Sequence, residues 1–308
     1  MYAVSHREGD LKKADREGYA VGAFNINNME ILQGITKAVK EKASPVIFAV
    51  SEGAIKYAGL KYIIAMVRTA VEDAGITAAL HLDHGQNIEL IKSCIESGFT
   101  SVMIDASHQP FEGNLKETKK VVEIAHARGV SVEAELGRLK GVEDIISVSE
   151  RDAILVDPDE AKRFVVETGI DSLAPAIGTS HGAFKFKGEA KLDFDRLKKV
   201  KEGCRIPLVL HGASSVPEWV LEKAVKYGGQ VKGARGVPEE AIKKAIAIGI
   251  NKVNVDTDLR LALVGAIREV LTETPQEIDP RKILGPARDL IYKVVMEKVE
   301  LLGSGGKA

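Results

Sequence analysis

Three histidines stand at the ends of short apolar runs, each beside a glycine: His84 in Leu82-Asp83-His84-Gly85, His181 in Ser180-His181-Gly182 and His211 in Leu210-His211-Gly212. Three imidazoles with an open fourth position suit a catalytic Zn2+, and carboxylates nearby can act as base or as alternative ligands. Asp83, Asp105 and Glu135 supply such carboxylates, and each also closes an apolar run. Polar groups are costly at a buried strand end unless something pairs them, such as a metal or a substrate. A single histidine of this kind would read equally well as a hydrogen-bonded core residue. Repetition argues otherwise, because Asn25, Ser51 and the pair Asn254 and Asp256 end runs in the same way.

The glycines carry a second message. Gly178-Thr179-Ser180-His181-Gly182 and Gly212-Ala213-Ser214-Ser215 free backbone N–H groups to approach an anion, and Thr257 adds a hydroxyl at the start of a helix. Helix N-termini and the loops after the last two strands of an α/β barrel favour phosphate. Lys185 is close enough along the chain to add positive charge. Tight turns beside a solvated lysine are the plainer alternative.

These residues need elements to position them. Apolar runs at 20–24, 45–50, 77–82, 100–104, 130–134, 171–177, 207–210 and 250–255 alternate with amphipathic helical segments, without a low-complexity linker. Short runs bounded by turn residues read as buried strands of a parallel sheet. Alternation along the third run puts His81 and Asp83 on one face, with His84 at the exit. Eight such units close into a barrel, and the expectation is a single-domain (β/α)8 TIM barrel over residues 1–308. An open doubly wound sheet is the alternative, disfavoured because no GxGxxG follows the first strand. Residues 138–156 show no clean period and read as a long lid loop, since long loops in compact domains are more often functional. A closing helix is expected over 286–302.

Composition narrows the function classes. Of 308 residues, 45% are hydrophobic and 28% charged, ordinary for a globular chain, and the net charge of −1 disfavours nucleic acid and anionic membranes as partners. No stretch approaches the roughly 18 apolar residues of a membrane span, and the charged N-terminus has no apolar signal region. Cys94 and Cys204 form no CxxC and read as small buried hydrophobes in a reducing compartment. The expected location is the cytoplasm.

Seven motifs together resemble the class II, zinc-dependent fructose-1,6-bisphosphate aldolases over essentially the whole chain. They are Val21-Gly22-Ala23-Phe24-Asn25, Ser51-Glu52-Gly53, His81-Leu82-Asp83-His84-Gly85, Glu133-Ala134-Glu135-Leu136-Gly137, Gly178-Thr179-Ser180-His181-Gly182, Leu210-His211-Gly212-Ala213-Ser214 and Asn254-Val255-Asp256-Thr257-Asp258. The chain is similar to the shorter subgroup, which also includes tagatose-bisphosphate aldolases, so the sugar epimer stays open.

The resemblance implies a set of roles. His84, His181 and His211 would hold Zn2+, with Glu135 and Asp105 as a neighbouring alternative metal position. Asp83 would be the acid/base on the C4 hydroxyl, and Glu143 in the lid would handle the proton at C3. Carbonyls around Ser180, Gly182 and Gly212 would suit a monovalent cation, Na+ or K+, beside the first phosphate. Gly182, Lys185, Ser214 and Thr257 would take that phosphate, while Asn25, Ser51, Asn254 and Asp256 would orient hydroxyls. Arg260 and Arg281 would lie near the far phosphate, one of them from a neighbouring subunit. The implied assembly is a homodimer or homotetramer.

The chemistry points the same way. Cleaving a C3–C4 bond beside a ketone needs an electron sink for the enediolate, from a Schiff-base lysine or a Lewis-acid metal. No apolar run ends in lysine, and Lys252 falls near the start of its own, so the metal route is favoured. A metal-dependent barrel hydrolase would want an HxH pair where this chain has Asn25. A non-catalytic sugar-phosphate binder would need neither Asp83 nor Glu143.

Overall fold

The computed structural model describes residues 7–138, 140–143, 146–148, 154–181, 192–231 and 236–308; for residues 7–9, 140–143, 146–148, 180 and 181 it describes the backbone alone. Helix α1 (Arg7–Glu17) precedes strand β1 (Val21–Asn25), and α2 (Met29–Glu41) leads to β2 (Val46–Ser51). Helices α3 (Glu52–Ala58) and α4 (Leu60–Ala74) follow, then β3 (Ala78–Gly85), α5 (Ile88–Glu96), β4 (Ser101–Ile104), α6 (Phe111–His126) and β5 (Ser131–Leu136). Two short strands, β6 (Lys140–Glu143) and β7 (Ile146–Val148), come before α7 (Pro158–Thr168), β8 (Ser172–Pro175) and the two-residue β9 (Ser180–His181). The remainder is α8 (Phe194–Cys204), β10 (Leu208–Leu210), α9 (Glu218–Lys226), α10 (Glu239–Ile248), β11 (Ile250–Val255), α11 (Thr257–Glu273) and α12 (Pro280–Leu302).

Eight strands close into a parallel barrel in the order β1-β11-β10-β8-β5-β4-β3-β2. Every barrel strand is buried along its whole length, as parallel strands covered by helices must be. Outward-facing positions such as Phe24, Phe48, Leu80, Leu82, Val132 and Val253 pack into one large apolar core beneath the helices. Five of the helices begin on an Asn or Asp side-chain cap: Asn28, Asn87, Asp157, Asp193 and Asp279 each accept a backbone N–H of the first turn.

Inside the barrel the inward positions change character along the strands. Leu11 and Ala14 of α1 pack with Val21, Ala23, Ile47, Ala49 and Ala79 in a second, smaller core that plugs one end. Further along, the same strand faces carry His81, Glu133 and Lys252 part-way up their strands and Asn25, Ser51, Asp83, Glu135 and Asn254 toward the C-terminal ends, all buried. The eight strands therefore deliver a polar layer above an apolar plug.

Four details differ from the sequence expectation. The charged segment before β1 forms α1, whose buried Leu11 and Ala14 are too few to give a strong periodic signal. The stretch expected as a lid loop contains β6 and β7 as an antiparallel pair, and β9 joins β6 in parallel, Gly141 opposite His181. Gly59, at φ +86, splits the helical stretch after β2 into α3 and α4. The closing helix starts six residues earlier than expected: Pro280 takes the first turn behind the Asp279 cap, and Pro286 lies inside the helix. Among the described residues no helix is long and apolar enough to cross a membrane.

Candidate active site at the C-terminal mouth of the barrel

The polar layer converges on two imidazoles. His84 and His211 lie with ring centroids 4.6 Å apart, tilted by 53°. Potential ligand atoms of Asp83, His84 and His211 all fall within 4.8 Å of one another, as do those of His84, Asp105 and Glu135. All five residues are buried. Mixed imidazole and carboxylate donors at this spacing fit a borderline divalent cation such as Zn2+.

Backbone geometry aims these groups. His84 adopts φ +47, uncommon for a residue with a side chain, where the pairing of β3 with β4 shifts register between Leu82 and Gly85. Because of that shift His84 and Asp83 both face the mouth, instead of alternating to opposite sides. Only glycine fits next, since a Cβ on Gly85 would stand 2.7 Å from the Met103 carbonyl oxygen. Beyond it, Glu52 accepts the backbone N–H groups of Gln86 and Asn87 at 2.7 and 2.9 Å and so holds the turn after β3. Asn114 of α6 donates to the Glu135 carbonyl at 2.9 Å and steadies the end of β5.

The charges are paired tightly. His84 Nδ1 lies 2.8 Å from Asp105 Oδ2, and Ser107 donates its hydroxyl to Asp105 Oδ1 at 2.7 Å. Burial alone would raise the Asp105 carboxyl, but the bonds from His84 and Ser107 hold it well below the usual carboxylate range. His211 Nδ1 lies 2.9 Å from Glu135 Oε2 and its Nε2 2.9 Å from Glu133 Oε1. Burial pulls the His211 imidazole down, yet the bonds to Glu133 and Glu135 outweigh it and carry the group up to about 9.

Asp83 is held from both sides. Asn25 donates to Oδ2 at 3.0 Å and Asn254 to Oδ1 at 2.9 Å. The amide oxygens of these asparagines are buried with no hydrogen-bond partner among the described residues. Buried acceptors left open beside a fixed carboxylate are suited to substrate hydroxyls.

Other expected residues fall in different places. Ser51 caps α3, its hydroxyl oxygen accepting from Ala54 N at 3.2 Å. Asp256 forms an ion pair with Arg260, 2.8 Å between Oδ2 and Nη2, and Arg260 borders a cleft of about 410 Å3 with Asn27, Gly53 and Tyr57. Gly212 sits at φ +58 directly after His211, Ser214 is buried nearby, and Thr257 opens α11. Arg281 is held by Asp279 of its own turn with its side chain 88% exposed, and no contact among the described residues joins it to the cluster. The side chains of His181 and Glu143, and all of Gly182 and Lys185, lie outside the described residues; the backbones of His181 and Glu143 belong to β9 and β6.

Sequence reasoning missed the layer below the cluster. Lys252 is completely buried, its Nζ 2.9 and 3.1 Å from the two oxygens of Glu133 and 3.3 Å from His81 Nε2. His81 Nδ1 in turn meets Ser101 Oγ at 2.9 Å. The signal was present in the alternation: Glu133 shares a strand face with Glu135, His81 with Asp83, and Lys252 with Asn254. A groove of about 520 Å3 between α2 and α4, lined by Met29, Leu32, Lys37 and Met66, opens on the outer wall and shares no residue with the cluster.

Comparison with known proteins gives a consistent picture. A family model described as "Fructose-bisphosphate aldolase class-II" matches residues 8–232 and 230–307. A fructose-bisphosphate aldolase of Helicobacter pylori is 54% identical over 298 residues, covering 96% of this chain and 97% of that protein. One from Thermus caldophilus is 53% identical over 298 residues, covering 97% of both. Among solved structures, the YdjI aldolase of Escherichia coli K12 superposes with a TM-score of 0.81 at 32% identity, covering 98% of both chains.

Proposed function

The chain belongs to the class-II fructose-bisphosphate aldolase family, and from that premise we propose how its own residues perform the reaction: reversible cleavage of fructose 1,6-bisphosphate to dihydroxyacetone phosphate and glyceraldehyde 3-phosphate. The observation that carries the reading is the placement of Asp83, fixed by two asparagines, within ligand distance of His84 and His211.

His84, His181 and His211 would hold Zn2+, with Asp105 and Glu135 as the adjacent carboxylates. When bound, the ion supplies a Lewis acid for charge developing on the ketone oxygen. Asp83 accepts the C4 hydroxyl proton as the C3–C4 bond breaks and returns it to the aldehyde in the condensation direction. Asn25 and Asn254 hold the carboxylate in one orientation and offer their amide oxygens to substrate hydroxyls, so no reorganisation is needed as the proton moves. Glu143, carried by β6, would handle the proton at C3. Against the alternative sink, a lysine imine, Lys252 is held under the cluster in an ion pair with Glu133, 2.9 Å between Nζ and Oε1.

Gly182, Lys185, Ser214 and Thr257 would bind the first phosphate at the loops after the last strands, with Na+ or K+ against the carbonyls of Ser180, Gly182 and Gly212. Arg260, on its open cleft, would meet the far phosphate, and Arg281 would serve a neighbouring subunit of a homodimer or homotetramer. The exposed position of Arg281 at the start of α12 suits that use. The reading includes a cytoplasmic location.

The test is cleavage of fructose and tagatose 1,6-bisphosphates side by side, with and without EDTA. The expected result is activity lost to EDTA and restored by Zn2+, with the fructose epimer cleaved faster. EDTA-resistant activity that dies with borohydride plus substrate would overturn the metal reading. No cleavage of either sugar would return the chain to the hydrolase or binding-protein alternatives.

A further inference from the structure

Helix α12 buries one face made of Ala287, Ile291, Val294, Val295, Val299 and Leu302, and Lys298 sits within it, 2% exposed. Lysine is almost never buried to that degree unless paired. Its ammonium donates to the Ser215 carbonyl at 2.5 Å and to the Ser215 hydroxyl at 2.6 Å, and stands 3.0 Å from Asp258 Oδ1. Asp258 is itself completely buried, in the first turn of α11. Neither of its carboxylate oxygens receives a directed hydrogen bond among the described residues, so its contact with Lys298 is one of charge against charge.

The location gives this pair its meaning. Ser215 follows Ser214, and Asp258 follows Thr257, so one ammonium ties together the two segments read above as part of the phosphate site. An acidic residue in the first turn suits the helix dipole but opposes an incoming phosphate at the same terminus. A buried countercharge removes that opposition. From the other side, Val237 N donates to the Ser214 carbonyl at 3.0 Å, so the Ser214–Ser215 turn is clamped between two segments.

We propose that Lys298 is a positioning and charge-balancing residue for the phosphate end of the substrate, pinning the Ser215 turn and neutralising Asp258 so that both loops face an anion without a competing carboxylate. The proposal rests on the phosphate reading of Ser214 and Thr257. Lys298 touches no substrate; it acts through the segments it joins.

The test compares wild type, K298M, K298R, D258N and the double variant D258N/K298M as full-length, metal-loaded protein. Calorimetry measures binding of dihydroxyacetone phosphate and of unphosphorylated dihydroxyacetone, with metal content and melting temperature recorded alongside. K298M is expected to weaken dihydroxyacetone phosphate by roughly tenfold or more, the effect of one uncompensated charge in a partly desolvated site, and to leave dihydroxyacetone unchanged. D258N is expected to hold or tighten phosphate-ester binding, and the double variant to return to within a few-fold of wild type; K298R retains most of the affinity. A strut with no electrostatic role gives the opposite pattern, K298M and D258N both weakening binding and the double variant doing no better, and that result overturns the proposal. If K298M does not fold, the sign of the D258N effect decides it. Wild-type protein that binds no dihydroxyacetone phosphate would sink the phosphate reading itself; wild-type binding with K298M unaffected sinks only the role of Lys298.

Discussion

Asn254 donates its Nδ2 hydrogen to Asp83 Oδ1 at 2.9 Å, joining the last strand of the barrel to the third across its interior. Asn25 does the same to Oδ2 from the first strand. In the acid/base role proposed for Asp83, a carboxylate gripped on both oxygens acts from one geometry, and misplacement by about 1 Å can cost two orders of magnitude in rate. Asn254→Ala is therefore expected to lower kcat by roughly 10- to 100-fold, with bound metal unchanged by elemental analysis. Wild-type kcat in that variant would separate Asp83 orientation from turnover.

Asp83→Ala should remove general acid–base catalysis, a loss of roughly 100-fold or more, while leaving the imidazoles of His84 and His211 in place. His84→Ala and His211→Ala should instead lose the metal. Metal analysis after gel filtration distinguishes the two classes. Asp83→Ala protein that retains activity would mean that the proton leaves by another group.

Removing Lys252 takes the ammonium partner from a buried carboxylate and leaves it to His211 and Ser172. Lys252 and Glu133 are both completely buried, and Glu133 also serves His211. Breaking a buried pair from one side typically costs about 3–5 kcal/mol, whereas replacing both charges is far milder. Lys252→Met should lower the unfolding free energy of metal-free protein by about that amount in urea, and the double variant Glu133→Gln/Lys252→Met should recover part of it. A loss below about 1 kcal/mol would show that water reaches the pair.

The two thiols should be inert in the folded protein. Burial, with a smaller push from Glu52, carries Cys94 up to about 12; burial carries Cys204 up to about 11 against the opposing pull of Lys201. Both shifts are upward, so the reactive thiolate is scarce at any pH below those values. A disulfide reagent at pH 8 should titrate neither cysteine until denaturant is added. Rapid reaction of either thiol in native buffer would contradict its burial.

Much of this architecture was legible along the chain because its signals are local. Apolar runs of strand length, closed by Asn25, Ser51, Asp83, Asp105, Glu135, His211 and Asp256, set both the barrel and the rim of its mouth. Two-residue alternation placed Asp83 with His81 before any contact was known, and the same rule, applied to β5, would have placed Glu133 with Glu135. Helix α1 and the β6–β7 hairpin were not legible, since neither carries a periodic apolar face long enough to rise above its charges.

Partnership was decided only by the closed barrel. That Asp105 serves His84, that Glu133 and Glu135 share His211, and that Lys252 turns inward to Glu133 are pairings across 21 to 119 residues of sequence. The lysine on the buried face of α12 likewise finds Ser215 across 83 residues. Sequence fixes which face of a strand or helix a side chain takes, because backbone periodicity is local. Which charge it meets there depends on strand stagger and helix packing, which exist only once the eight strands have closed.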